Sequence, residues 1–289
     1  MSAIADLISK LIAEARARHP GRPVLIGVGG AQGSGKSYQC RAYAAAHASV
    51  AHFSLDDVYL TKAERQARAE IFSADLPPYP PGSPAVTLDA STRERLKALF
   101  FTRGPPGTHD LRLATGLLAR LTKPLPTPLP RFDKSQDDRA PEATWPIFEG
   151  PADAILVDAW CMGARAPPAG EPINAAEQGD VLEVEAGERW WRWQSDISHQ
   201  LEYNYTQFFS AFDSIIYLQA PSWQIVRVWR AQQEVENLGR PLNADDEARL
   251  DRFVMHYERV TRAMLAGHHS ARWIVHLNEA RGVVRIEQR

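Results

Sequence analysis

The eight residues Gly30 to Ser37, GAQGSGKS, carry the spacing G-x-x-x-x-G-K-[ST]. Glycines in this pattern let successive backbone N–H groups turn inward around an anion, Lys36 can reach the outer phosphates, and the Ser37 hydroxyl can ligate magnesium. Gly30, Gln32, Gly33, Ser34 and Gly35 supply the backbone of the expected cradle, and Lys36 and Ser37 its side chains. The segment predicts a site for a nucleoside triphosphate.

Phosphoryl transfer also needs a carboxylate beside the attacking hydroxyl, a magnesium environment, and cations around the moving group. Asp56 and Asp57 follow a short apolar run in FSLDDVYLT. That position places both near the phosphates, with Asp56 the expected base and a candidate magnesium ligand; a helix cap is the structural alternative. Asp158 ends the run Ala154 to Val157, as a Walker B acid would, and joins Ser37 as an expected metal ligand.

Two charged loops are expected to meet the acceptor. GPPGTHDLRL brings His109, Asp110 and Arg112 behind a Gly/Pro turn, and PRFDKSQDDRAP brings Arg131, Asp133, Lys134 and Arg139 behind another. Arg and Lys pair with carboxylates or phosphates, and Asp and His hydrogen-bond hydroxyls. His109, Asp110, Arg131 and Lys134 are the expected contacts, with Asp57 and Tyr59 beside them; the competing reading is a solvated surface. Downstream, SWQIVRVWRAQQEVEN carries Arg227 and Arg230 on one helical face. Arg230 is the better placed of the two to close over phosphates.

These groups need a scaffold. Val24 to Val28 reads as a buried strand entering the phosphate loop, and the alanine-rich run from Lys36 to Ala48 as the helix leaving it, its N-terminus toward the anion. Ile4, Leu7, Ile8, Leu11 and Ile12 mark an amphipathic helix before the first strand. Further strands are expected at Val50 to Ser54, Ala154 to Val157 and Ser214 to Leu218, and a long helix over Asp245 to Leu265. Strands alternating with helices predict an α/β fold, a three-layer sandwich with a mainly parallel central sheet and helices on both faces. PPYPPGSP at 77 to 84 and PLPTPLP at 124 to 130 exclude regular helix and central strand. One domain over residues 1–289 is expected, with an insertion or lid-like region at about 162–200 that ends in a helical, tryptophan-rich tail.

The 33 basic and 35 acidic side chains leave a net charge of −2, so no global field attracts nucleic acid or an anionic membrane. No apolar stretch approaches a bilayer span, and the N-terminus lacks a signal pattern, so a cytoplasmic location is the expectation. Cys40 and Cys161 lack metal-type spacing and read as small buried groups. Oligomeric state is not legible.

With these motifs in place, the chain resembles the P-loop kinases that include phosphoribulokinase, uridine kinase and pantothenate kinase, and most closely the D-glycerate 3-kinase family. The resemblance rests on GGAQGSGKS, SLDDVYLT, GPPGTHDLRL, PRFDKSQDDRAP, VDAWCMGA, and APSWQIVRVWRAQQE with FVMHYERVTR, in the same order over nearly the whole chain. It implies a P-loop NTPase-type fold and phosphorylation of D-glycerate to 3-phosphoglycerate, with ATP and Mg2+ on Lys36 and Ser37. Asp56 would take the hydroxyl proton, Arg230 would act as a lid arginine, and Arg131 or Lys134 would suit the glycerate carboxylate. The chain departs from the family pattern at Val58, Phe132 and Asp158-Ala159. Two other readings stand beside this one. A same-fold kinase of a nucleoside or other sugar-like acceptor would use Tyr59, Phe132 or the tryptophans as a stacking pocket. An ATP-binding regulatory or assembly protein would present Trp190, Trp191 and Trp193 to a partner.

Overall fold

The computed structural model describes residues 2–75, 87–167 and 188–289, together with the backbone but not every side chain at the start of the last segment. The first proline-rich stretch, 77 to 84, and most of the expected insertion lie outside the described residues.

Six strands form the central sheet: β1 (Val24–Gly30), β2 (Val50–Ser54), β7 (Ala154–Ala159), β8 (Ser214–Gln219), β9 (Trp273–Leu277) and β10 (Val283–Gln288). Their order is β10-β9-β8-β1-β7-β2, parallel except for the antiparallel edge pair β9/β10. Period-two alternation in the buried strands divides the core. Ile155, Val157, Ile215 and Tyr217 face one apolar cluster. Val24, Ile26, Val28, Leu156, Ile216 and Leu218 face the other. The second cluster is covered by the helices Ala3–Arg18 and Lys36–Ala46, and the first by Leu111–Leu121, Glu188–Gln200 and Ala244–Leu265, among others. The expected three layers result.

β9 and β10 extend the sheet beyond the expected strands. β9 is a five-residue buried run, and β10 pairs on one side only and keeps an exposed pattern. β7 also runs further than expected, to Ala159, so Asp158 is a strand residue.

Proline at 124 to 130 permits only a two-residue ribbon outside the central sheet, where β3 (Thr127–Pro128) pairs with β6 (Ile147–Phe148). β4 (Phe132–Asp133) and β5 (Asp138–Arg139) form a small hairpin that carries Lys134 in its turn. The Glu188–Gln200 helix packs back on the body: Trp193 is 3% exposed within the first cluster, and Asp196 pairs with Arg68. Trp190 and Trp191 have side chains outside the described residues. Among the described residues no helix is long and apolar enough to cross a membrane.

Strand order fixes where a ligand can sit. β1 lies between β7 and β8; the chain runs from β1 toward the β2 edge and from β8 toward β9 on the other side, opening a crevice at the carboxyl ends. The phosphate-loop segment follows β1, Asp158 lies one residue before the end of β7, and Asp56 follows β2.

Candidate active site

A cleft of about 440 Å³ opens at this edge, with Gly33, Lys36, Ser37, Asp56, Lys134 and Arg230 in its wall. The loop's backbone requires its glycines. Gly33 has φ +76°, and a Cβ there would stand 2.5 Å from the Trp229 Cβ. The Arg281 Nε–H donates to the Gly33 carbonyl at 2.6 Å, its Nη2 reaches Gln232, and its guanidinium lies over the Trp229 ring. The turn between β9 and β10 thus braces the loop from behind. The Lys36–Ala46 helix begins at the loop's end, so its unpaired N–H groups and positive dipole end face the cleft.

The Ser37 hydroxyl donates to Asp158 Oδ2 at 2.6 Å, and the Ser54 hydroxyl donates to the same oxygen at 3.2 Å. His52 Nε2 meets Asp158 Oδ1 at 2.7 Å. Full burial pushes the Asp158 pKa up, but the His52 hydrogen bond and charge, Lys36 and Ser37 outweigh it, and the carboxyl titrates below its ordinary value. An ionised carboxylate joined to a serine hydroxyl is an oxygen-donor pair suited to a hard divalent cation. Ser37 and Asp158 therefore fit magnesium, and Lys36 with the loop N–H groups fits phosphate oxygens.

Asp56 lies in the one-turn helix Leu55–Val58, capped by Ser54. The Tyr59 hydroxyl donates to Asp56 Oδ1 at 2.7 Å, while Oδ2 stands 3.9 Å from Lys134 Nζ. Asp57 turns away to accept from Arg131 Nη1 at 3.1 Å. Its burial raises its pKa against the opposing charge of Arg131.

Tyr59 is held on its ring by a stack with His109 at 4.7 Å and an edge contact with Phe132 at 5.2 Å. His109 is buried, and desolvation lowers its pKa to about 4. Asp110 caps the Leu111–Leu121 helix through Leu113 N–H at 2.9 Å and pairs with Arg139 at 3.2 Å, so its carboxylate is already engaged in structure and stands outside the lining of the cleft. Arg230 reaches the cleft, paired with Glu234 and over the Phe253 ring at 4.8 Å. Arg227 faces elsewhere, bound to Asp251 and Glu247.

The fold thus brings Lys36, Ser37, Asp56, Tyr59, Lys134 and Arg230 to one cleft, sets Asp158 beneath Ser37, and leaves Asp57, His109 and Arg131 just behind. No family model matches the chain. It is 31% identical over 227 residues to the chloroplastic D-glycerate 3-kinase of Arabidopsis thaliana; the match covers 74% of this chain and 41% of that protein, less than half its length. It is 28% identical over 275 residues to the uncharacterized kinase mug58 of Schizosaccharomyces pombe, covering 89% and 87% of the two chains. The chain is similar to P-loop kinases that include D-glycerate 3-kinase. Solved structures agree on the fold: D-glycerate 3-kinase from Cryptococcus neoformans var. grubii superposes with a TM-score of 0.68 at 23% identity over the whole of both chains. The YGR205w protein gives 0.66 at 21% identity over 99% and 96%. This kinase is accordingly a small-molecule phosphotransferase with an alcohol group as acceptor.

Several of the kinase's site residues carry no local signal in the sequence. Arg103, in the cleft wall, pairs with Asp137 and lies over the Phe132 ring, and it directly precedes the GPPGTHD segment. Trp160, also in the wall, donates from Nε1 to the Gly104 carbonyl at 2.9 Å. His52 and Arg281 act from a strand and a distant turn, where only the assembled sheet brings them to the loop.

Proposed function

We propose that this kinase transfers the γ-phosphoryl group of ATP to D-glycerate, giving 3-phosphoglycerate. The observation that carries this reading is Asp56: one oxygen is occupied by the Tyr59 phenol, and the other lies in the phosphate-loop cleft beside Lys134. That arrangement suits a base for a hydroxyl presented to the phosphates. Oδ2 takes the hydroxyl proton as the oxygen attacks. Lys36, Arg103 and Arg230 bring positive charge to the wall around the transferring group. Ser37 and Asp158 would hold magnesium, which would supply charge neutralisation on the outer phosphates. Lys134, 66% exposed on its hairpin, is free to swing onto the acceptor's carboxylate; Arg131 is committed to Asp57 and orients that pair.

A nucleoside acceptor would need an open aromatic face. Tyr59 is 3% exposed under His109 and Phe132, and Trp193 is in the core. Neither offers a stacking platform, and Phe132 is likewise buried, edge-on to Tyr59. The division into one kinase domain with an inserted region at about 162–200, and a cytoplasmic location, belong to the same proposal; the plant relative is by name chloroplastic.

The test is a coupled assay of ADP release over hydroxy acids, nucleosides and pantothenate. D-glycerate should give the highest kcat/KM. No glycerate-dependent ADP above the rate with water would overturn the assignment.

A further inference from the structure

The Asp158 carboxylate has two neighbours that a magnesium site does not use. Cys40 lies on the Lys36–Ala46 helix, three residues after Ser37, so helical spacing sets the two on one face. His52 lies on β2, where the register with β7 sets Ser54 level with Asp158, and residues two apart in a strand share a face. Cys40 Sγ, a ring nitrogen of His52 and a carboxylate oxygen of Asp158 all lie within 4.8 Å of one another. Among the described residues no other His, Cys, Asp and Glu side chains gather in this way. Cys40 and Asp158 are fully buried, and His52 is nearly so.

A cysteine that only fills the core needs no charged neighbour. Here the sulfur stands near an ionised carboxylate, which together with burial raises the thiol's pKa well above its ordinary value.

The donor set decides the metal. Sulfur, imidazole nitrogen and carboxylate oxygen suit zinc and similar thiophilic divalent ions, whereas magnesium takes oxygen donors. Ligand atoms around a tetrahedral zinc stand roughly 3–4 Å apart, given its usual bond lengths. A trio already within 4.8 Å closes to that spacing by side-chain adjustment. As the sulfur–metal bond forms, the thiol gives its proton to solvent. The neutral imidazole presents a lone pair at one ring nitrogen. Thiolate and carboxylate then cancel the charge of the dication, so the buried complex carries no net charge. Three protein ligands leave a fourth position for water.

We propose that Cys40, His52 and Asp158 form a binding site for a thiophilic divalent cation, zinc above all, and that an ion held there inhibits the kinase by taking Asp158 from the Ser37 magnesium pair. His52 is no ligand to magnesium but is one to zinc. The two ions compete because they share one carboxylate. The site is independent of which acceptor the kinase uses.

The test uses the full chain, with cobalt(II) as an optical probe for zinc. Cobalt titrated into magnesium-free protein should give a near-ultraviolet sulfur-to-metal charge-transfer band, and added zinc should abolish it. Cys40→Ala should lose the band. No band in the unmodified protein, or one that survives Cys40→Ala and so belongs to Cys161, overturns the proposal. In kinetics zinc should inhibit, and raising magnesium should relieve the inhibition. Cys40→Ala should keep kcat within about twofold and raise the zinc concentration for half-inhibition by at least about 10-fold, the least that losing a ligand should cost. Equal inhibition of both proteins would place the zinc on ATP instead and overturn the proposal. Should Cys40→Ala fail to fold, Cys40→Ser keeps the volume with a harder, weaker donor, and the same results are expected of it.

Discussion

The Tyr59 hydroxyl donates to one oxygen of Asp56 at 2.7 Å, and the other oxygen stands 3.9 Å from Lys134 Nζ in the phosphate-loop cleft. The phenol fixes the carboxylate's rotation and distinguishes its two oxygens. Asp56→Asn should lower kcat by about 10²–10⁴-fold with little change in the KM for ATP, the range expected when a general base is removed. Tyr59→Phe leaves the base but frees its rotation, and kcat should fall by roughly 10-fold, consistent with loss of a hydrogen bond to a charged group. Steady-state kinetics under saturating ATP distinguish the two. An Asp56→Asn enzyme with full kcat would remove Asp56 as the base.

Asp158 is completely buried and joins Ser37, Ser54 and His52. Asp158→Asn removes the charge that makes the Ser37 pair a metal site. The magnesium concentration for half-maximal activity should rise by about 10–100-fold, read from a titration at fixed ATP. His52→Ala should raise it less, since His52 orients and charges the ligand without being one.

Arg281 reaches the phosphate loop from the far edge of the sheet through the Gly33 carbonyl. Arg281→Ala unties the loop from the β9/β10 turn but leaves every phosphate-facing group in place. The KM for ATP should rise roughly 3–10-fold, about the net value of one ordinary hydrogen bond, with the acceptor KM unchanged. A change confined to the acceptor KM would contradict the brace.

Gly104 adopts φ +116°, and a Cβ there would fall 1.9 Å from the Tyr257 hydroxyl. Gly104→Ala strains the backbone and pushes Tyr257 off the loop. Thermal or urea unfolding should show a loss of roughly 2–4 kcal/mol, larger than a surface substitution gives.

His109 is held at a pKa of about 4 by burial, against an ordinary value near 6.5. The sign follows from proton uptake: the unfolded chain binds a proton that the native ring refuses. The contribution of the neutral ring is fully present above about pH 6.5 and is lost as pH falls toward 4. Its size is on the order of 3 kcal/mol. His109→Gln should therefore flatten the stability profile between about pH 6.5 and 4, measured by urea unfolding at several pH values. Equal slopes for both proteins would count against the buried neutral state.

Much of this was legible along the chain because the signals are local. The phosphate loop is contiguous, its glycines answer to backbone geometry, and a helix N-terminus at Lys36 follows from short-range propensity. β2 has the expected bounds, and β1, β7 and β8 are buried on both faces, which makes them read as apolar runs. Asp56 and Asp158 were legible because they stand at or near strand ends, where a parallel sheet collects its ligands.

The sequence by itself determined the phosphate-loop chemistry, the alternation that makes a three-layer sandwich, and the resemblance to P-loop kinases. Tertiary structure decided which charged loop residues are free to act. Asp110 and Arg139 pair with each other outside the cleft lining, and Arg227 pairs with Asp251, while Arg103 and Arg230, paired with Asp137 and Glu234, line the cleft. It also decided the partners of buried groups: His52 under Asp158, Arg281 behind Gly33 and Tyr205 on His109 meet only after strands and helices far apart in sequence have packed. The physical reason is range. Backbone conformation and apolar period are set by neighbours a few residues away, whereas a hydrogen bond between side chains about a hundred residues apart exists only once the sheet has fixed its order.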